Sequence, residues 1–322
     1  MLDIITRPIE KEMAMFNSYF DSQFKSNLPM LEEVLTYVKE GTGKKMRPIL
    51  LLLVAKCLGG VDTKVLASAS AMELLHTASL LHDDVLDESD KRRGRESVKS
   101  KYKNSVAVLA GDYILAQSIH NAAETGDCRI VKDVAVLGKS LAHGEVMQVE
   151  LQHNGNYCEE NYINVIKNKT ASLFVSSCAC AVYSCDGNAD MLERFKKFGE
   201  NIGICFQIKD DLFDYYSNDV GKPTGSDMRE GKVTLPALYV LRESVNPLLE
   251  PIRLKLASAE SLDDNEIGQF INISIEEGGI AYAEKMIEYY RNEALAVLPD
   301  SIPQDIREAL VAYIDYVINR EN

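Results

Sequence analysis

Apolar residues recur every three or four positions along nearly the whole 322-residue chain, and period-two alternation bounded by turn residues is hard to find. A chain patterned this way buries its apolar side chains by packing helix against helix, so the fold class is all-α. The periodicity predicts helices over Met30–Lys39, Arg47–Leu58, Thr63–Asp87, Val106–Ala123, Ile130–Gln152, Glu159–Cys185, Ala189–Ser217, Leu235–Arg242, Asp264–Gly278, Ile280–Leu298 and Ile302–Asn319. Gly59-Gly60 and Gly278-Gly279 stop helices, Asp62 caps the helix after it, and Ser301 with Gln304 reads as a capping box. No Pro/Ser-rich linker, composition break or fixed-period repeat divides the chain. The expected organisation is therefore one large helical bundle, a single domain over residues 1–322.

The longest apolar run, Ile49 to Ala55, is far short of the ~20 residues that cross a bilayer. Residues Met1 to Lys11 alternate apolar and charged side chains and carry no signal-peptide core. Seven cysteines, an odd number without C-x-x-C spacing and mostly in apolar stretches, match reduced thiols, and the expected compartment is the cytoplasm. With 49 acidic against 35 basic side chains the net charge is −14, the wrong sign for coating a phosphate backbone, so nucleic acid is not an expected partner. The same charge argues against electrostatic docking on anionic lipid.

Two pentads stand out. Asp83-Asp84-Val85-Leu86-Asp87 puts Asp83 and Asp87 on one helical face, with Asp84 about 100° round. Asp210-Asp211-Leu212-Phe213-Asp214 repeats the spacing behind an equally apolar stretch. Two carboxylates on one face repel unless a cation lies between them, and hard oxygen ligands one turn apart suit Mg²⁺. A solvated acidic helix end accounts for one such cluster; its recurrence points to a metal site. Each pentad is followed by a cationic loop: Lys91-Arg92-Arg93-Gly94-Arg95 after the first, Gly221-Lys222 and Gly231-Lys232 after the second. Carboxylates, Mg²⁺, arginine and lysine together describe a polyphosphate site. A third basic patch, Gly43-Lys44-Lys45-Met46-Arg47-Pro48, opens an apolar helix and offers a second anion site, although an ordinary solvated helix start reads the same way.

Upstream of the first pentad, Ser79, Leu80, His76, Leu75, Met72 and Ala69 form a stripe that is small and apolar apart from His76. Gln207, Gly203 and Gly199 precede the second. Core packing explains such stripes on their own. Beside a diphosphate and metal site they suggest a substrate with a charged head and a hydrocarbon tail.

With these motifs in view, the chain resembles the trans-polyprenyl diphosphate synthase family. The resemblance runs from Gly43 to about Pro236 through both pentads, Glu73-Leu74-Leu75-His76, Arg92-Arg93-Gly94, Gly111-Asp112, Lys169-Thr170, Gln207, Gly221-Lys222, and Gly231-Lys232 with Thr234-Leu235-Pro236. It implies helices around a central cavity, a homodimer, and head-to-tail condensation of isopentenyl diphosphate with an allylic diphosphate such as farnesyl diphosphate. It further implies that Asp83, Asp87 and Asp210 ligate Mg²⁺ while Asp84, Asp211 and Asp214 act through water or neighbouring groups. Arg92, Lys169, Thr170, Gln207 and Lys222 would hold the allylic diphosphate, and Lys44, Arg47, His76 and Arg93 isopentenyl diphosphate. Lys232 would complete a cationic lid. The released diphosphate, in such enzymes, takes the proton from the new carbocation. Where the family often carries a proline two residues after Arg92-Arg93-Gly94, this chain has Glu96.

Short-chain members of the family tend to carry an aromatic residue four or five positions before the first aspartate, or two extra residues within the motif. Here those positions are Ser79 and Ala78, and the pentad is uninterrupted. The product is thus expected to extend past Leu75 and Met72, the latter roughly 16 Å from Asp83 along the helix. The expectation is therefore a long-chain, octaprenyl-like product for quinone side chains. A geranylgeranyl- or farnesyl-length synthase shares every motif and is the nearest alternative. A terpene cyclase has no use for the patch at Lys44 and Arg47. An HD-type phosphohydrolase would need ligands from separate helices, whereas His76 and His82 share one. A di-iron site built on Glu73-x-x-His76 and Glu150-x-x-His153 would leave the arginine loops without a purpose, and a non-catalytic regulatory subunit should show broken aspartate motifs.

Overall fold

The computed structural model describes residues 1–216 and 224–320. In chain order its helices are α1 (Leu2–Thr6), α2 (Glu10–Asp21), α3 (Pro29–Glu40), α4 (Met46–Cys57), α5 (Thr63–Leu86), α6 (Val98–Tyr102), α7 (Asn104–Glu124), α8 (Cys128–Asn154) and α9 (Glu159–Ile166). They continue as α10 (Ser172–Ser184), α11 (Ala189–Leu212), α12 (Ser226–Arg229), α13 (Leu235–Glu243), α14 (Leu249–Ala257), α15 (Asp264–Glu276), α16 (Gly279–Ala296) and α17 (Gln304–Asn319). The strands among the described residues are a two-residue pair, β1 (Lys91–Arg92) and β2 (Arg95–Glu96). The all-α expectation holds.

The helices group into two units. The first comprises Met1–Lys139, Leu173–Lys196 and Leu298–Tyr313; the second comprises Ser140–Ser172, Lys197–Val297 and Ile314–Asn322. Four of the five borders fall inside helices, where no linker composition marks them.

In the first unit α4 is apolar on every side, and Ile49 to Ala55 are all buried, as a helix enclosed by neighbours requires. It packs on α5, which also carries α2 and α7. The α5–α7 contact is close: a Cβ on Gly111 of α7 would come within 2.4 Å of the His82 ring on α5, and Ser70 and Ala71 on α5, like Ala107 and Ala110 on α7, are buried. Polar atoms within it are paired, Ser118 Oγ donating to the Ala71 carbonyl (2.7 Å) and Asn121 Nδ2 to Ser70 Oγ (2.9 Å). Asp62 caps α5 as expected, accepting from the Val65 amide at 2.9 Å.

In the second unit α13 packs against α9, α15 and α16, with Leu235, Val240, Ile252, Phe270 and Ile273 in the core between these and α14. The capping box lies at Asp263 and Glu266, where Asp263 Oδ1 accepts from the Glu266 amide (2.9 Å) and Glu266 Oε2 from the Asp263 amide (2.8 Å). The box read at Ser301 and Gln304 does not form. Pro303 disfavours helical geometry at Ile302, so α17 starts at Gln304, with the Pro303 carbonyl accepting from Arg307 at 2.9 Å.

Three further departures bear on function. The helix expected over Glu159–Cys185 is interrupted by a π-helical turn, Lys167–Ala171. Such turns concentrate at functional sites. Gly144 lies against it; a Cβ there would come within 2.6 Å of Lys169 Cγ and 3.0 Å of the Lys169 amide nitrogen. The loop after the first pentad is a hairpin whose two turn residues, Arg93 and Gly94, have φ of 52° and 77°. Two successive positive φ values define the turn that matches the right-handed twist of paired strands, and Glu96, the family's frequent proline position, pairs with Lys91 in the ladder. Helices α1, α2, α6, α12 and α14 are additional to those read from the sequence.

A charged clamp ties the start of α5 to the start of α8 and the turn after α10. Asp127 receives Arg129 Nη2 at 2.7 Å and Lys64 Nζ at 3.0 Å, and Arg129 also reaches Asp186 at 2.8 Å. Hydrogen bonding from Arg129, with Lys64 adding to it, holds the Asp127 carboxyl well below the usual carboxylate range. A depressed folded-state value stabilises the fold at pH values above the unfolded one and loses that contribution on acidification. Asp127→Asn is therefore expected to cost about 1–2 kcal/mol at neutral pH. Urea denaturation should show the gap to the parent chain closing as pH falls below about 4.

Candidate active site

In the first unit, α5 ends in the pentad. Asp84 is buried (2% exposed) and accepts from Arg92 Nε at 2.7 Å, while Asp83 is half-buried and Asp87 exposed. Burial pushes the Asp84 carboxyl up from its usual value and Arg92 opposes the push. The hairpin delivers that arginine. Its turn residue Arg93 donates Nη1 to the Gly41 carbonyl (3.0 Å) and lies over Gly43, where a Cβ would come within 2.6 Å of the guanidinium carbon.

Glu73, His76, Asp84, Arg92, Arg93 and Arg95 line one cleft. Glu73 and His76 are buried, and neither Glu73 Oε2 nor His76 Nδ1 has a hydrogen-bond partner. Burial raises the Glu73 carboxyl against the pull of Arg47, Arg93 and Lys45; burial and the same two arginines push His76 well below its usual value, so its imidazole is neutral. Arg47 lies over the Phe174 ring at 5.3 Å. Lys44 is exposed on the loop before α4. Its neighbour Lys45, not singled out from the sequence, takes φ 53°, donates to Asn17 Oδ1 (2.8 Å) and stands over Phe20. Met72, Leu75 and Ala78 are buried, and half-buried Ser79 donates its hydroxyl to the His76 carbonyl at 2.9 Å.

The second unit holds a cleft lined by Gln148, Lys169, Thr170, Gln207, Asp211 and Lys232 on its polar side. A chain of hydrogen bonds crosses it: Thr170 Oγ1 donates to Gln207 Oε1 (2.6 Å), Gln207 Nε2 to Asp211 Oδ1 (2.7 Å), and the Tyr162 hydroxyl to Asp211 Oδ2 (2.6 Å). Asp211 is 6% exposed, and burial, with Asp227 adding to it, pushes its carboxyl well above the usual range. Lys169 reaches Gln148 Oε1 and Glu145 Oε2, both at 2.9 Å. Asp214 anchors the start of α12, accepting from the Ser226 amide and hydroxyl (2.9 and 3.0 Å) and the Asp227 amide (3.1 Å). Asp227, beside it, is pushed up to about 6 by burial and the Asp214 charge. Lys232 pairs with Glu230. Exposed Asp210 carries Arg320 on Oδ1 at 2.8 Å. Lys222 and Gly221 lie outside the described residues.

Tyr162, Glu145, Gln148, Asp227 and Arg320 escaped the sequence reading; each belongs to no motif and is brought in by the fold. Glu150 and His153 are exposed. Among the described residues no three acidic, imidazole or thiol side chains converge on one point. Each pentad instead offers a partial oxygen set. That suits Mg²⁺, which is commonly held by one or two carboxylates and completed by water and substrate phosphate.

Residues 28–269 match the polyprenyl synthetase family model. The octaprenyl diphosphate synthase of Haemophilus influenzae is 31% identical, over 99% of this chain and 97% of its own length. Among solved structures, a geranylgeranyl pyrophosphate synthase from Bacteroides thetaiotaomicron is 41% identical with a TM-score of 0.84, covering 99% of each chain. A polyprenyl synthase from Caulobacter crescentus CB15, complexed with calcium and isoprenyl diphosphate, is 28% identical with a TM-score of 0.89, covering 99% of this chain and 98% of that one. The chain belongs to the polyprenyl synthetase family, and it is a prenyltransferase.

Removing the Tyr162 hydroxyl leaves a buried carboxylate oxygen without its donor. Tyr162→Phe should lower stability by about 1–3 kcal/mol, read from the urea midpoint at constant slope.

Proposed function

We propose that this chain condenses isopentenyl diphosphate head-to-tail onto an allylic diphosphate such as farnesyl diphosphate, making an all-trans polyprenyl diphosphate of about octaprenyl length for quinone side chains. The observation that carries the chemistry is the cleft where Lys169, Thr170 and Gln207 meet the buried Asp211. Arg92, Lys169, Thr170, Gln207 and Lys222 would hold the allylic diphosphate, and Lys232 would complete a cationic lid. Lys44, Arg47, His76 and Arg93 would hold isopentenyl diphosphate, a neutral imidazole donating one N–H beside two guanidinium groups. Residues 1–322 then act as one catalytic domain, with both pentads serving one reaction.

Asp83, Asp87 and Asp210 would hold Mg²⁺, with Asp84, Asp211 and Asp214, whose oxygens accept from Arg92, from Tyr162 and Gln207, and from the start of α12, acting through water or neighbouring groups. When bound, the metal would stabilise negative charge on the departing diphosphate. The cations of the chain add to that stabilisation and keep the diphosphate oriented as its C–O bond breaks.

Two further parts of the reading have separate support. On α7, Val108, Leu109 and Ile119 are 38%, 66% and 49% exposed, an apolar stripe that a second copy of the chain would cover in a homodimer. No described helix is long and apolar enough to cross a membrane, and a cytoplasmic location is part of the proposal.

Product length rests on the small side chains Ala78 and Ser79 before the first pentad. A geranylgeranyl-length product is the second reading, favoured by the name of the Bacteroides structure at 41% identity. Incubation with farnesyl diphosphate, isopentenyl diphosphate and Mg²⁺, followed by chain-length analysis, separates the two. Products of octaprenyl length that vanish with chelator are the expected result, a geranylgeranyl stop would select the second reading, and no product at all would sink both. Ala78→Tyr should shorten the product while condensation continues; an unchanged length would show that α5 does not wall the hydrocarbon path.

A further inference from the structure

On this reading Asp210 is a metal ligand, and yet a cation of the chain itself already sits on its carboxylate. Arg320, just beyond α17, places Nη2 2.8 Å from Asp210 Oδ1 and 3.0 Å from the Phe206 carbonyl. Its guanidinium lies 3.6 Å from the centre of the Phe206 ring, with Phe213 at 5.8 Å. The Arg320 side chain is 17% exposed and that of Asp210 52%. An ordinary surface pair is held by one contact and is worth little. Here a carbonyl and two aromatic faces fix the guanidinium independently of the carboxylate, so it is pre-placed on Asp210.

A dication bound to the same carboxylate would stand roughly 4–5 Å from the guanidinium, where like charges oppose each other strongly. We propose that Arg320 is an internal counter-cation that competes with the metal for Asp210, so that metal binding displaces the Arg320 guanidinium. Arg320 is thus a positioning residue that sets metal affinity. The inference rests on the proposed function only in taking Asp210 as a ligand.

The test uses Mn²⁺ alone, without either diphosphate, titrated against the full chain at low ionic strength and read as free Mn²⁺ by electron paramagnetic resonance. Arg320→Met keeps an apolar stem on Phe206 and removes the charge; it should bind Mn²⁺ about three- to tenfold more tightly. Arg320→Lys, which retains a cation, should stay near the parent value. In an Asp210→Asn background the Met substitution should change nothing. Unchanged or weaker binding by Arg320→Met, equal tightening in the Asp210→Asn background, or no Mn²⁺ binding by any of these chains overturns the proposal.

A second measurement needs no variant. Tryptic cleavage after Arg320, followed by mass spectrometry, should run several-fold faster with saturating Mn²⁺, and an unaltered rate also overturns the competition. Because no substrate is present, a failed competition leaves condensation untouched, and absent condensation with altered Mn²⁺ affinity does the reverse.

Discussion

A carboxylate taken out of water has to be given back its hydrogen bonds, and the second aspartate of each pentad imposes that demand on its unit. Asp84 and Asp211 are 2% and 6% exposed. Leaving either without donors would cost several kcal/mol. The hairpin exists in a form that satisfies the first: a tight turn through Arg93 and Gly94 folds β1 back so that Arg92 reaches Asp84. Tyr162 on α9 and Gln207, one helical turn before the carboxylate, satisfy the second. The π-helical turn at Lys167–Ala171 then sets Thr170 on Gln207 and turns Lys169 toward Gln148 and Glu145. The groups around each site are therefore ordered by the need to bury one acid.

That requirement divides labour inside the pentads. At about 100° per residue, the first and fifth aspartates share a face and the second points away from it. The geometry assigns burial to the second position and exposure or half-burial to the first, in both helices. The fifth positions differ: Asp87 stays exposed after α5, whereas Asp214 is drawn into anchoring the 225–227 segment. Two pentads of identical spacing thus present unequal oxygen sets. Sequence symmetry between motifs does not carry over into chemical symmetry once the chain beyond each motif folds back on it.

The long helices were legible because their apolar period runs over many turns, and Asp62 because a capping side chain acts within three residues of itself. Helix α2 went unread because its charged residues dilute the pattern, and α6 and α12 because a helix of four or five residues has too few turns to show a period. The π turn was hidden because Lys167–Ala171 interrupts an otherwise continuous pattern by hydrogen bonding alone. In the site, residues inside motifs were found and their partners were not. Tyr162 lies 49 positions from Asp211 and Arg320 lies 110 from Asp210. Nothing local in the sequence marks such partners, since the property that selects them is distance in space.

Under the proposed function α5 would act as a ruler for a growing hydrocarbon. A ruler must not slide, and α5 is held against α7 by a seam of small residues in which Ser118 and Asn121 bond to Ala71 and Ser70. Those bonds lie about two turns before Ala78, so the register of the stripe is fixed by polar pairs that a shift of even one residue would break. With the backbone pinned, the position of the first bulky side chain along α5 becomes the adjustable quantity. It moves in increments of one turn, about 5.4 Å. Product length can then diverge between relatives through one or two side chains while every diphosphate-binding group stays where it is. The similarity of this chain both to an octaprenyl diphosphate synthase and to a geranylgeranyl pyrophosphate synthase is what such a separation of functions would produce.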